Sequence, residues 1–152
     1  MQTAQQSHTY RGSFAKIKDV FPGGESYSIL DLGCGDGSLT EPLVAHHDVY
    51  GLDSDAKLVQ EAYARGIHAV KGDLTLPFPF PDSHFDVVCA LDILEHIEDL
   101  ASVFDEINRV VRDDGYLIIS LPNHFDLRTR LSILFGGGII KWSQRDFEKK
   151  AW

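Results

Sequence analysis

Cysteine is scarce in this chain: Cys34 and Cys89 are the only two among 152 residues, and both fall in apolar stretches expected to be buried. Two such thiols do not make a disulfide framework, so a reduced compartment is the expectation. Basic residues are also few, 14 against 23 acidic, for a net charge of −9. That balance argues against a nucleic-acid backbone or an anionic membrane surface as the main partner, although it leaves room for a locally basic cleft. No apolar run reaches the roughly 18 residues of a membrane span. The opening, "MQTAQQSHTYRGS", lacks the basic-then-apolar layout of a secretory signal. A cytoplasmic protein is expected. With no internal repeat, low-complexity tract or linker, residues 1–152 read as a single domain, long enough for a core without disulfide or metal staples.

What the chain does have is alternation. Residues 1–27 are expected to form an N-terminal segment in which "YRGSFAKIKDVF" carries a short helical stripe ended by Pro22-Gly23-Gly24. After it, "YSILDLG" reads as a buried strand and "SLTEPLVAHH" as a helix that tolerates Pro42 in its first turn. "DVYGLD" is a second strand, "AKLVQEAYARG" a helix capped by Gly66, and "IHAVKGD" a third strand. "LTLPFPFPDS" is a proline-studded loop and "FDVVCALDI" a fourth strand. In "LASVFDEINRVVRDDG" the residues Leu100, Val103, Phe104, Ile107, Val110 and Val111 share one helical face. "YLIISLP" is a fifth strand, followed by the helical "FDLRTRLSILF", a triple-glycine break and a polar tail. Apolar strands alternating with helices predict an α/β fold: a doubly wound, Rossmann-like, mostly parallel sheet of about five strands with helices on both faces. In such folds ligands sit outside the carboxyl ends of the strands.

Those ends carry the chemistry. The first strand runs into Asp31-Leu32-Gly33-Cys34-Gly35-Asp36-Gly37, within "ILDLGCGDGSLTEPL". Three glycines in five positions imply backbone geometry that other residues resist, and close approach of a ligand to the main chain is one reason for it. The spacing is G-x-G-x-G, not the G-x-G-x-x-G of dinucleotide sites. Its neighbouring carboxylates suit a positively charged ligand better than a diphosphate. The second strand ends in Asp53, where α/β nucleotide sites grip a ribose diol; Ser54 and Asp55 fit equally as caps of the next helix. The third ends in Gly72-Asp73-Leu74, where a carboxylate can accept from an exocyclic amino group and a backbone amide can serve a ring nitrogen. Asp73 alone is more often a turn residue; beside Asp53 and the glycine loop it completes a nucleoside site.

These strand ends, in this order, resemble the class I S-adenosylmethionine-dependent methyltransferases. "ILDLGCGDG", "VYGLD", "KGDLTLPFPFPDSHFDVV", "LDILEHIEDL" and "EINRVVRDDGYLIISLPN" match their motifs in register over residues 28–123. The similarity is to the small-molecule type. It implies that Asp31, Gly33, Cys34 and Gly35 surround the methionine part of S-adenosylmethionine, Asp53 holds the ribose, and Asp73 and Leu74 read the adenine. Leu91 and Asp92 would line the sulfonium end, with His96 one turn further. S-adenosylhomocysteine would be the product, and a small-molecule methyl acceptor the partner. The family continues past its fifth strand into an antiparallel hairpin, for which "WSQRDFEKKAW" has too few residues. The expectation is therefore a domain truncated at its C-terminus. Its fifth strand would have an open edge able to pair with a second copy as a homodimer, and part of its acceptor pocket would be missing.

Methyl transfer from a sulfonium asks the protein mainly to hold donor and acceptor in line, worth about 7–11 kcal/mol. A base is needed only where the acceptor must lose a proton. Asp92, Glu95 and His96 are the candidates for that work, while Glu95 and His96 fit equally as solvated residues opening the next segment. No metal-ligand cluster or nucleophile triad is evident, and Cys34 reads as a packing residue. An enzyme methylating a small molecule is the leading reading. A non-catalytic cofactor-binding module, needing a partner chain or further segment for turnover, is the alternative. A nicotinamide dehydrogenase is disfavoured by the glycine spacing. A nucleic-acid methyltransferase is disfavoured by the charge and by the lack of an N/D-P-P-[YF] tetrapeptide after the fourth strand.

Overall fold

The computed structural model describes residues 26–120. They fall within one compact unit of the chain. The expected N-terminal helical stripe, the helix after the fifth strand and the polar tail lie outside the described residues.

Five strands form one sheet in the order β3-β2-β1-β4-β5, every neighbour parallel. They are β1 (Ser28–Leu32), β2 (Asp48–Asp53), β3 (His68–Lys71), β4 (Phe85–Leu91) and β5 (Val111–Ser120). Two α-helices complete the crossovers, α1 (Ala56–Ala64) and α2 (Leu100–Val110). Chain order runs outward from β1 to β3, then returns across the sheet to β4, which places the switch point between β1 and β4. The period-two alternation of a strand then sorts the core into two layers. Leu30, Leu32, Val88 and Ala90 face α2, where Val103, Ile107 and Val110 close over them. Ile29, Val87 and Cys89 face the other side, beneath Ala62 of α1 and Leu43. A doubly wound α/β sheet is thus realised, with one α-helix on each face among the described residues. Among the described residues, β3 and β5 are its edges, and no helix is long and apolar enough to cross a membrane.

Three local expectations are corrected. The helix expected over "SLTEPLVAHH" is instead a series of turns around a single 3₁₀ turn, Glu41–Leu43. Pro42 has no N–H, and the bonds from Leu43 to Thr40 and from Val44 to Glu41 close at three-residue spacing. The helix of "LASVFDEINRVVRDDG" stops at Val110, and β5 starts at Val111. There the pairing of Phe85 with Val111 jumps to that of Val87 with Tyr116, so the polar residues 112–115 bulge out of the ladder. The stripe on α2 is also narrower than its spacing suggests. Val103, Ile107 and Val110 are buried, whereas Leu100 and Phe104 are each 39% exposed.

The difference is measurable. Ile107→Ala is expected to lower unfolding free energy by about 2–5 kcal/mol, and Phe104→Ala by less than about 1 kcal/mol. Urea denaturation of the two variants checks the assignment, and equal losses would contradict it.

Candidate cofactor site

At the carboxyl ends of β1, β2 and β3 lies a cleft of about 380 Å³. One wall is the turn Gly72–Thr75; the other is the segment after β4, through Ile93, His96, Ile97 and Glu98. Gly33 and Asp53 form its floor, with Ser54 beside them.

The glycine loop is shaped from beneath. Gly33 donates to the Leu52 carbonyl at 2.8 Å, and a Cβ on it would stand 2.7 Å from Ile93 Cγ1. Only a glycine lets the two cleft segments come this close. Gly37, at φ +76°, is jammed against Ile67 and Ala62, with a would-be Cβ 2.5 Å from Ile67 Cδ1. Gly35, at φ +56°, differs: a Cβ there would meet none of the described residues within 4 Å.

Asp53 ties this loop to β2. Its Oδ2 accepts from Gly35 N–H and its Oδ1 from Asp55 N–H, both at 2.9 Å. Asp55 caps α1, accepting from the amides of Lys57 and Leu58. Of Ser54 and Asp55, the two caps that the sequence left open, Asp55 serves the helix, while Asp53 lines the cleft. Asp73 accepts from the Thr75 amide at 2.9 Å and its hydroxyl at 2.8 Å, both through Oδ1. These bonds hold its carboxyl below the usual carboxylate range. They leave Oδ2 for a ligand.

Of the residues expected around a ligand, the cleft brings together Gly33, Asp53, Asp73, Leu74 and His96. Others stand outside its lining. Asp31 is 2% exposed and accepts from the Thr40 hydroxyl at 2.9 Å, beneath the loop. Burial pushes its carboxyl up to about 7; the Thr40 bond opposes this and the Asp53 charge adds to it. Cys34 is buried with its sulfur where a side chain on Gly51 would stand. Its thiol is pushed up to about 12, by burial first and then by the Asp31 and Asp53 charges, which makes it inert. Leu91 packs against the α1-side core. Asp92 holds a positive φ of 51° and accepts from the Ser120 hydroxyl at 2.7 Å. Glu95 lies 4.0 Å from His96 Nε2 and outside the lining. Asp36, expected to add negative charge to the loop, turns away to Arg65, whose guanidinium also bonds its carbonyl and Glu41.

Sequence reasoning missed Ile93, Ile97 and Glu98 in the wall. Their signal was present in "LDILEHIEDL", where apolar residues recur at irregular spacing and so announce neither helix nor strand. Among the described residues, no three His, Cys, Asp or Glu side chains are placed to hold a metal.

With this geometry, comparison with known proteins is decisive. The sequence pattern of the methyltransferase domain family matches residues 30–119. The chain belongs to that family. Its five-stranded parallel sheet is that of the class I methyltransferase fold. The methyltransferase domain is 27% identical over 125 residues to a ubiquinone biosynthesis O-methyltransferase of Bradyrhizobium sp. (strain ORS 278), covering 77% of this chain and 48% of that protein. It is 33% identical over 141 residues to the sterol 24-C-methyltransferase ERG6B of Gibberella zeae, covering 78% of this chain and 36% of that one. Among solved structures, the PH0226 protein of Pyrococcus horikoshii OT3 superposes with a TM-score of 0.71 at 25% identity, over 86% of this chain and 65% of that one. An S-adenosylmethionine-dependent methyltransferase of Mesorhizobium loti gives 0.65 at 24% identity, over 76% and 56%. The chain spans about half the length of the ubiquinone-biosynthesis relatives it matches.

Two measurements test this methyltransferase domain's loop. Gly37→Ala adds a clash to the backbone strain and is expected to cost clearly more stability than Gly35→Ala, whose penalty is the left-handed backbone alone, about 1–2 kcal/mol; urea midpoints of the pair decide. Asp31 sets a pH dependence. Its folded pKa of about 7 stands above the ordinary 3.8, so between these values the folded chain holds a proton that the unfolded chain has lost. Stability from this group therefore falls as pH rises from about 4 to about 7. Asp31→Asn should flatten that slope and raise the denaturation midpoint at about pH 8 relative to about pH 5.

Proposed function

We propose that the cleft binds S-adenosylmethionine and that the chain supports methyl transfer to a small-molecule acceptor. The observation that carries this reading is the charge of the cleft. Asp53, Asp73 and Glu98 line it, and among the described residues that line it there is no lysine or arginine. A dinucleotide diphosphate would be repelled by such a site, whereas a ligand bearing sulfonium and ammonium charges is favoured by it. Among the described residues none stands within 4 Å of where a Gly35 Cβ would be, which supports the same reading, since a backbone without a Cβ leaves room for an aminoacyl chain.

In this reading Asp53 accepts from the ribose hydroxyls with the lone pairs that Gly35 and Asp55 leave unused. Each such charge-assisted bond is worth about 1.5–3 kcal/mol. Asp73 Oδ2 accepts from the adenine amino group, and the Leu74 amide serves a ring nitrogen. Gly33 and Gly35 make room for the methionine portion; Asp31 and Cys34 shape that loop from below. S-adenosylmethionine supplies a methyl group already activated on positively charged sulfur, so the protein's task is to orient and to exclude water. Ile93 and Ile97 present an apolar wall toward the acceptor end, which suits a lipophilic ring of the sort that the names of the ubiquinone-biosynthesis and sterol relatives indicate.

His96 is the one candidate base that lines the cleft. Asp92, engaged by Ser120, holds the end of β4 against β5, and Glu95 stands behind His96. A second reading, a cofactor-binding module that needs another segment or chain for turnover, is favoured by the chain's spanning about half the length of the ubiquinone-biosynthesis relatives.

Calorimetric titration with S-adenosylmethionine, S-adenosylhomocysteine and NADH is the test. The first two are expected to bind and NADH is not. Asp53→Ala should weaken S-adenosylhomocysteine by about ten- to a hundredfold in a folded protein. Tight NADH binding, or a folded Asp53→Ala chain of unchanged affinity, would overturn the reading. Binding without methyl transfer to quinol or sterol acceptors would favour the module.

A further inference from the structure

The crossover from β3 to β4 spans residues 72–84 and contains no helix or strand. Thirteen structureless residues inside a compact domain are uncommon unless the loop has work to do. This loop begins as the adenine-side wall of the cleft, at Gly72–Thr75, and continues into Leu76-Pro77-Phe78-Pro79-Phe80-Pro81. Prolines at every second position remove the N–H groups with which the stretch could join a sheet or a helix. Within the stretch the Phe80 amide donates to the Phe78 carbonyl at 2.8 Å, and the acceptor capacity that remains on the Phe78 and Phe80 carbonyls needs donors from elsewhere.

They find one side chain. Arg109 of α2 donates from Nη2 to the Phe78 carbonyl at 3.0 Å and from Nη1 to the Phe80 carbonyl at 2.9 Å. It reaches Asp82 from Nη1 at 2.6 Å, and it forks onto Glu106, through Nε at 2.9 Å and Nη2 at 2.6 Å. All five guanidinium protons are therefore used. Glu106 completes the clamp by accepting from the Phe78 amide at 2.6 Å. Both main-chain groups of Phe78 are thus held by one turn of α2, while its ring is buried in the core. Arg109's own carbonyl accepts from the Ser83 amide, fastening the far end of the loop.

The same helix controls the opposite wall. α2 follows directly on the segment carrying Ile93, His96, Ile97 and Glu98, through its cap Asp99. One rigid element therefore joins both sides of the cleft. We infer that Arg109, with Glu106 as its partner, is a positioning residue that sets the adenine wall against the wall after β4, and so determines how Asp73 and Leu74 meet the base. This rests on the reading of the cleft as an S-adenosylmethionine site. Lysine cannot replace this arginine, because a point charge with three donors does not span two carbonyls and two carboxylates.

The test titrates the full chain and its variants with S-adenosylhomocysteine and with S-inosylhomocysteine, in which the 6-amino group is replaced by an oxo group. Thermal melts identify the variants that remain folded. Wild type is expected to prefer the adenine ligand. Arg109→Gln and Arg109→Lys should weaken it about tenfold or more and erase most of the preference. Glu106→Gln keeps the shape and loses the charge, and should move both readouts in the same direction by less. It also decides the matter if neither Arg109 variant folds. A general loss of stability would weaken both ligands equally. Folded variants with that pattern, or with unchanged affinity, would overturn the positioning role. Failure of wild type to bind S-adenosylhomocysteine would instead remove the reading of the cleft, and this inference with it.

Discussion

The hydrogen bond from the Gly35 amide to the Asp53 carboxylate joins the ends of two neighbouring strands, and the cleft depends on it. A parallel sheet places the carboxyl end of every strand at the same edge, so loops after β1, β2, β3 and β4 converge there whatever their sequences. Convergence alone does not make a site. The loop after β1 has to be bent through glycines that lean on Ile93, Ile67 and Ala62, and it has to be held in that shape. Asp53 does this from β2 while keeping its carboxylate at the cleft floor.

Five aspartates gather around the ends of β1, β2 and β3, and the fold gives them different fates. Asp55 caps a helix. Asp36 is neutralised at the surface by Arg65. Asp31 is buried with Thr40, where burial makes its charged form costly. That leaves Asp53 and Asp73, joined by Glu98, to give the cleft its negative character. The sorting matters because five unscreened carboxylates would repel one another. Dispersing three of them into local hydrogen bonds leaves a concentrated field only where a ligand can enter.

Much of the fold was legible from pattern. Continuous apolar strands, the glycine junction and the alternation of elements are local signals, set by burial on both faces of a parallel sheet. The errors fell where a local signal was ambiguous. "SLTEPLVAHH" has helical composition, but Pro42 and the turn from Gly37 leave only a 3₁₀ turn. Leu100 and Phe104 obey the helical period and still remain partly exposed, because periodicity reports a face and not what covers it. Leu91, Asp92 and Glu95 were placed by position along the chain. They stand outside the cleft's lining: the backbone after β4 turns through a left-handed residue, and Ile93 and Ile97 line the cleft.

The sequence by itself determined the class of fold, the place of the glycine loop and the acidic ends of β2 and β3. Residue spacing encodes secondary structure, and a doubly wound sheet sends its strand ends to one edge. Only the tertiary structure decided which carboxylates face the cleft, that Cys34 fills the space left by Gly51, and that Arg109 binds a proline-rich loop to a helix about thirty residues away. Those outcomes depend on which groups compete for the same donors and the same space, and such competition exists only once distant segments are packed together.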